Sequence, residues 1–216
     1  MPAFNEGSSI AQVVCQMRDH FPCVVVDDGS ADNTAQQARS AGAFVIRHPV
    51  NLGQGAALQT GFTWALEQRA DWVITMDSDG QHNPEDALRL LQLALVQGWD
   101  VALGSRFMGR TEGMPLSRRW LLKAALLVQN LTSGLPLTDV HNGLRVLSRK
   151  ALQRIHLRQD RMAHASEIIG QLAQSGLTVG EGPVTIRYTP YSLAKGQSSL
   201  GALHILVDLL MARLGR

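Results

Sequence analysis

Short, nearly continuous apolar runs alternate with longer stretches of helical period through the first half of the chain. Residues 23–27, 43–47, 72–77 and 100–104 read as strands, and residues 8–20, 33–41, 55–69 and 84–97 as helices. Strands that are apolar on both faces belong to a sheet covered by helices on each side. Their alternation with helices is the pattern of a largely parallel sheet with crossover connections. The helix entries agree: Ser8 stands ready to cap the first, Asp32 or Asn33 the second, and Pro84 occupies a favoured first-turn position of the fourth.

After residue 105 the alternation gives way to a Gly- and Arg-containing loop (FMGRTEGMP), and the period predicts a helix over 117–134. Further helices over 148–156 and 163–175 lead to a long strand, 177–189, suited to a sheet edge, and a final amphipathic helix spans 199–214. With no internal repeat or linker, the chain reads as one α/β domain over 1–216, with a first half over 1–105 and a second over 106–216. Its start is unusual. The polar segment PAFNE begins at residue 2, where a strand-to-helix turn is expected, with no residues ahead of it to supply the strand. Either the true start lies upstream, the chain was trimmed, or the sheet tolerates a missing strand, whose loss leaves backbone groups of its neighbours unpaired.

Composition narrows the function classes. The 20 basic and 18 acidic side chains leave a formal charge of +2, far from the basic excess of a general nucleic-acid binder. Cys15 and Cys23 lack the His and Cys spacing of a zinc site and read as reduced thiols. No run is long enough to cross a bilayer and no signal peptide is evident, so a cytoplasmic location is expected, with a peripheral seat on the membrane face allowed. The apolar residues Trp120, Leu121, Leu122, Leu126, Leu127 and Leu131 beside Arg118, Arg119 and Lys123, and Leu203, Ile205, Leu206, Leu209 and Leu210 beside Arg213 and Arg216, fit either core-facing helices or helices lying on anionic lipid.

Three segments carry chemistry. Asp77-Ser78-Asp79-Gly80-Gln81 follows the apolar strand WVITM, and carboxylates two apart at the carboxyl end of a parallel strand can converge oxygens on Mg²⁺ or Mn²⁺. Asp27-Asp28-Gly29-Ser30 follows VVV, where a carboxylate can hold ribose hydroxyls or a base N–H, or can simply cap a turn. Asn51-Leu52-Gly53-Gln54-Gly55 opens a helix with two glycines, matches neither a Walker A loop nor a dinucleotide fingerprint, and reads as a turn shaping a pocket wall.

In this order P-A-F-N-E, D-D-G-S, N-x-G-x-G, D-S-D-G-Q, G-S-R-F at 104–107 and D-x-x-x-G-x-R at 139–145 resemble glycosyltransferase family 2, and within it the polyprenyl- and dolichol-phosphate sugar transferases of GT-A fold. The resemblance implies a Rossmann-like, mostly parallel sheet flanked by helices, with a nucleotide-binding half over 1–105 and an acceptor- and membrane-facing half over 106–216. It implies that Pro2, Phe4, Glu6, Val26, Asp28, Asp77, Ser78 and Arg145 bind the nucleotide sugar, with Phe4 where the family usually has Tyr. Asp77, Asp79 and Gln81 are the implied ligands of Mg²⁺ or Mn²⁺, and Arg106, Arg118 and Asp139 the implied catalytic set. Asp139 reads alternatively as a loop cap paired with Arg145, and His164 as a surface or packing residue. Where the family ends its domain with an Arg-bearing G-x-S-K segment, this chain has Ala194-Lys195-Gly196-Gln197-Ser198-Ser199, and Lys195 is the substitute cation; His141 and Asn142 also depart from the family's usual residues. The expected activity is inverting transfer of a sugar from a nucleotide-diphosphate donor to a polyprenyl-phosphate-type lipid. Transfer to a saccharide or protein hydroxyl, and a non-catalytic donor-binding protein, are the alternatives.

Overall fold

The structure is a computed structural model that describes residues 1–159 and 163–188; within the helix over 116–133 the side chains at 117, 118, 121, 128, 129 and 131–133 also fall outside the description. The segment with Lys195 and the helix read over 199–214 therefore lie outside the described residues.

Strands β1 (Pro2–Ala3), β2 (Val24–Asp27) and β3 (Phe44–Arg47) form a parallel sheet in that order. A second sheet has the order β4-β6-β5-β7, from β4 (Trp72–Thr75), β5 (Val101–Glu112), β6 (Arg145–Ser148) and β7 (Val179–Arg187). In it β6 runs antiparallel to both β4 and β5, while β7 pairs parallel to β5 at the edge, as its sequence predicts. The four strands read from apolar runs are all present. The segment at residue 2 pairs two residues, Pro2 and Ala3, with β2.

Two departures from the sequence reading sit beside each other. β5 does not stop at residue 104 but continues to Glu112: its first six residues are buried, and the rest alternate between partly buried and exposed as the strand leaves the core beside β7. The D-x-x-x-G-x-R segment, left without an element by the sequence, ends in a strand, β6, buried throughout as Arg145-Val146-Leu147-Ser148, and the helix read from 148 begins at Arg149.

Helices cover both faces. On one side α1 (Ile10–Arg18), α2 (Thr34–Ser40) and α4 (Pro84–Gln97) bury Ile10, Val14, Ala38, Leu90 and Ala94 against Val25, Val146 and Ile186. On the other, α3 (Gln54–Glu67), the short α6 (Arg149–Leu152) and α7 (Ala163–Gln174) bury Leu58, Phe62, Leu152, Ile168 and Ile169 against Val101, Leu103 and Leu147. Each fully buried Leu, Ile or Phe is worth about 1.5–3 kcal/mol, so these two layers fix where the strand ends point. The helix ends follow local chemistry. Asn83 accepts from Glu85 N, Pro84 opens α4 with Glu85 and Asp86 in its first turn, and Gly98 closes it in the left-handed conformation. Asp32 takes Thr34 N at the start of α2. α5 (Leu116–Ser133) crosses the surface with Leu116, Trp120 and Leu127 exposed.

Candidate active site

The carboxyl ends of β1 and β4, the amino end of β6 and the middle of β5 meet around one cleft of about 340 Å³. It is lined by Pro2, Phe4, Glu6, Asp77, Ser78, Asp79 and Gln81 together with Arg106, His141, Arg145 and His164. Acidic oxygens thus share the cleft with cationic and imidazole groups.

Asp77 leaves the end of β4 and lies against the backbone of Gly143, where a Cβ would come within 2.3 Å of Asp77 Oδ2. Thr75 Oγ1 donates to Gly143 O (2.8 Å), tying β4 to the turn that precedes β6. Gln54 Nε2 donates to Asp77 Oδ1 (3.1 Å), and His82 Nε2 stands 3.4 Å from Asp77 Oδ2. Burial alone would raise the Asp77 pKa, but the His82 contact and the positive ends of His82, Arg145 and His164 hold it down to about 2. Its neighbour behaves oppositely: burial and then the charge of Asp77 push Asp79 up to about 6, against the Gln81 backbone N–H that donates to Asp79 Oδ1. Two carboxylates that repel each other at one cleft wall are what a bound cation relieves.

Arg106, also on the cleft, is buried and held by three partners. Its Nε donates to Asp139 Oδ2 (2.6 Å), Nη1 to Tyr188 Oη (2.8 Å) and Nη2 to His141 O (2.8 Å). Burial works against its charge, yet Asp139 and Tyr188 keep its pKa above the ordinary guanidinium value. Asp139 also accepts from Arg106 N and His141 N and sits behind the cleft wall, so its partner is Arg106 and not Arg145. The peptide that carries it is fastened by Glu181 of β7, which accepts from Thr138 N, Thr138 Oγ1 and Asp139 N. Arg145 is buried beside Asp77, and burial outweighs the acids to lower its pKa. His141 is lowered to about 4, by burial first and then by Arg106, Arg145 and His164 against Asp139, so the ring is neutral at physiological pH.

Of the residues singled out in the sequence, Pro2, Phe4, Glu6, Asp77, Ser78, Asp79, Gln81, Arg106 and Arg145 line the cleft. Val26 is packed in the core, and Asp28 lies beneath the cleft rim, where Oδ1 accepts from His48 Nδ1 (2.7 Å) and Leu52 N (2.9 Å) and Oδ2 from Gly53 N (2.8 Å). Asp28 reaches the cleft indirectly, because the loop it holds delivers Gln54 to Asp77. Arg118 belongs to α5, but its side chain lies outside the described residues, as does Lys195. His164 is not on the surface: it is buried and lines the cleft. It approaches over Gly55, where a Cβ would come within 3.1 Å of its own Cβ. The sequence reading placed Gln54 only within a turn shaping a pocket wall, and it missed His82, Tyr188 and Glu181, of which His82, directly behind the D-S-D-G-Q run, carried a usable signal.

The PAFNE turn is zipped to the D-D-G-S turn. Asn5 N donates to Ser30 Oγ, Ala31 N to Asn5 Oδ1 and Glu6 N to Thr34 Oγ1. Ser9 Oγ then bridges Glu6 Oε2 and Ser78 O, joining the first motif to the acidic pair.

Among the described residues no three His, Cys, Asp or Glu side chains converge as a self-sufficient metal site. The donor set instead fits a hard cation that takes part of its shell from a bound phosphate: two carboxylates and a carboxamide on one wall, with one carboxylate's proton affinity raised by the other.

Comparison with known proteins agrees with this geometry. The family model described as glycosyl transferase family 2 matches residues 1–156. An uncharacterised protein of Methanocaldococcus jannaschii is 36% identical over 99% of this chain and 90% of its own length. The UDP-N-acetylglucosamine–dolichyl-phosphate N-acetylglucosaminyltransferase of Methanococcus voltae is 31% identical over 100% of this chain and 95% of its own. Polyprenol monophosphomannose synthase of Mycolicibacterium smegmatis is 30% identical over 92% and 80%. In fold, the chain resembles glucosyl-3-phosphoglycerate synthase of Mycobacterium tuberculosis, solved with Mn²⁺, UDP-glucose and phosphoglyceric acid, with a TM-score of 0.70 at 20% identity over 99% of this chain and 78% of that one. With the family match over residues 1–156 and relatives matched along nearly the whole chain, the protein, whose strand-end acidic pair shares one cleft with buried arginines, is a member of glycosyl transferase family 2.

Proposed function

We propose that this chain transfers a sugar, with inversion at the anomeric carbon, from a nucleoside-diphosphate donor to the phosphate of a polyprenyl-type lipid. The observation that carries the reading is the convergence, in one cleft, of Asp77, Asp79 and Gln81 with Arg106 and Arg145. Asp77, Asp79 and Gln81 would hold a divalent cation, Mg²⁺ or Mn²⁺, which when bound neutralises the donor's diphosphate and its departing charge. Pro2, Phe4, Glu6 and Ser78 place the donor, with Asp28 acting through the loop it anchors. Arg145, whose buried guanidinium opens on the cleft, is the direct phosphate contact; Arg106, engaged by Asp139, Tyr188 and His141, is the fixed positive charge behind it. Arg118 and Lys195 are further candidate cations for the acceptor or donor.

Asp139 bears on the acceptor. Its Oδ2 accepts from both the backbone and the side-chain N–H of Arg106, and Asp139 is not among the residues lining the cleft, so it positions Arg106. A phosphate oxygen is already anionic near neutral pH and needs orientation, not deprotonation. The acceptor phosphate oxygen attacks the anomeric carbon as the bond to the diphosphate oxygen breaks, and the nucleoside diphosphate leaves. The names of the Methanococcus and Mycolicibacterium relatives support the same acceptor class. α5 supports a seat on a membrane face: Trp120 and Leu127 are exposed and Lys123 stands 6.0 Å from the Trp120 ring. Among the described residues no helix is long and apolar enough to cross a membrane.

The test is transfer from radiolabelled UDP- and GDP-sugars to undecaprenyl or dolichyl phosphate, with Mn²⁺, Mg²⁺ or chelator. Metal-dependent labelling of the lipid is the expected result. Labelling only of a saccharide or peptide hydroxyl, or full activity of Asp77→Ala and Asp79→Ala in chelator, would overturn the reading.

A further inference from the structure

Among the described residues that line the cleft, only His82 carries a sealed side-chain atom with no hydrogen-bond partner, its Nδ1. The imidazole is 2% exposed, and its other nitrogen, Nε2, stands 3.4 Å from Asp77 Oδ2. A carboxylate only accepts, so the proton between them belongs to Nε2. Burying the second nitrogen without a partner costs stability that an apolar side chain of similar volume would not. Packing alone therefore does not account for a histidine at this position, and the polar partner its side chain does have is the Asp77 carboxylate.

The backbone that carries the imidazole is fixed on both sides. Gln81 O accepts from Arg187 N (3.1 Å), and His82 forms an antiparallel bridge with Ile186, so the end of β7 holds this peptide. Directly after it, Asn83 caps α4. Asp77 in turn has three close neighbours: Gln54 Nε2 donates to Oδ1 (3.1 Å), His82 Nε2 lies against Oδ2, and at Gly143 a Cβ would come within 2.5 Å of the Asp77 Cγ. Donors on different oxygens set the rotation of the carboxylate, and one donor per oxygen leaves each a further lone pair.

We propose that His82 is a positioning residue whose Nε2–H holds Asp77 Oδ2, so that the carboxylate presents its remaining lone pairs to the divalent cation. The role rests on the assignment of Asp77 as a cation ligand under the proposed function. His82 acts through Asp77 and does not itself meet cation or substrate, in the way that hydrogen-bond partners orient metal-ligating carboxylates elsewhere. The same contact helps to hold the Asp77 carboxyl down at about 2, against the burial that would raise it.

The experiment compares the 216-residue parent with His82→Leu, His82→Gln and Asp77→Ala, by Mn²⁺ titration followed by paramagnetic resonance and by thermal unfolding in chelator. His82→Leu removes the donor at similar volume. Because the Asp77 side chain is 34% exposed, water replaces that donor, and Tm should be kept or raised while Mn²⁺ binding weakens by about tenfold or more. His82→Gln, whose amide N–H reaches the same oxygen, should restore most of the affinity. A histidine that serves the fold alone predicts the reverse, a lowered Tm or no folding in His82→Leu and a normal Mn²⁺ affinity in a folded His82→Gln whatever its effect on the donor. Loss of folding or of Tm in His82→Leu, weakened binding that His82→Gln fails to restore, or nitrogen hyperfine coupling to Mn²⁺ in the parent that His82→Leu abolishes, which makes the imidazole a ligand, would each overturn the proposal. An affinity lowered in Asp77→Ala but unchanged in His82→Leu overturns the role of His82 alone. Absence of Mn²⁺ binding by the parent, or an affinity that Asp77→Ala leaves unchanged, overturns the cation site itself and this role with it.

Discussion

Arg106 Nε and Asp139 Oδ2, from residues 33 apart in sequence, meet at 2.6 Å with both side chains almost fully buried. The pair fixes the electrostatics of one cleft wall and separates two roles for Asp139. Removing one member of a buried ion pair strands the other charge, at a cost of about 3–5 kcal/mol. Asp139→Ala is therefore expected to destabilise by that amount in urea unfolding. The double variant Arg106→Met with Asp139→Leu should recover most of the stability without recovering transfer. Additive losses in the double variant would show that the two residues are not coupled.

Gly143 is a sharper probe of the acidic pair. A Cβ there would stand 2.3 Å from Asp77 Oδ2 and 2.5 Å from its Cγ, so Gly143→Ala must displace the Asp77 carboxylate. Weakening of Mn²⁺ binding by about tenfold or more is expected, read by manganese paramagnetic resonance on the folded variant. Unchanged Mn²⁺ affinity would remove Asp77 from the metal site.

The sequence made the strand ends legible because a buried parallel strand is a run of apolar residues that stops where its carboxyl end meets solvent, and Asp27 and Asp77 mark those stops. It hid β6, since four buried residues between a polar motif and a helix have no period to read. It hid the second half of β5 as well: the polar run from Arg106 to Glu112 looks like a loop but is a strand held by backbone bonds to β7. The role of Asp28 was not legible either, because nothing in D-D-G-S says that its oxygens are spent on His48, Leu52 and Gly53. Pairings such as Glu181 with Thr138 depend on tertiary placement, and no spacing rule encodes them.

Asp28 accordingly separates loop anchoring from direct donor contact. Asp28→Asn replaces an acceptor-only carboxylate, facing two backbone donors and His48, with a group that carries its own N–H; a loss of about 2–4 kcal/mol is expected in chemical unfolding. The Gln54 contact with Asp77 should weaken with it, lowering transfer at saturating donor. A variant of unchanged stability whose only defect is a raised KM for the donor would assign Asp28 to the nucleotide itself.

His141 predicts how stability depends on pH. Its folded pKa is about 4 against 6.5 for the free side chain, so the unfolded chain takes up a proton at a higher pH than the folded one. The unfolded state thus binds more protons between those values, and the residue's contribution is intact above pH 6.5, declines as pH falls and is fully lost by about pH 4. At 1.36 kcal/mol per pKa unit the loss is on the order of 2–3 kcal/mol. Asp79 acts in the opposite sense without metal: with a folded pKa of about 6 against 3.8, its contribution is present at low pH and lost as pH rises through about 6. The two slopes oppose each other between about pH 4 and 6, so the parent protein in chelator should show a shallow profile there. His141→Gln removes one of them. Relative to the parent, the variant should gain about 2–3 kcal/mol as pH is lowered from 6.5 to 4, measured by urea unfolding in chelator. A constant difference between the two proteins across that window would mean that the His141 imidazole titrates like a solvated one and is not buried against Arg106 and Arg145.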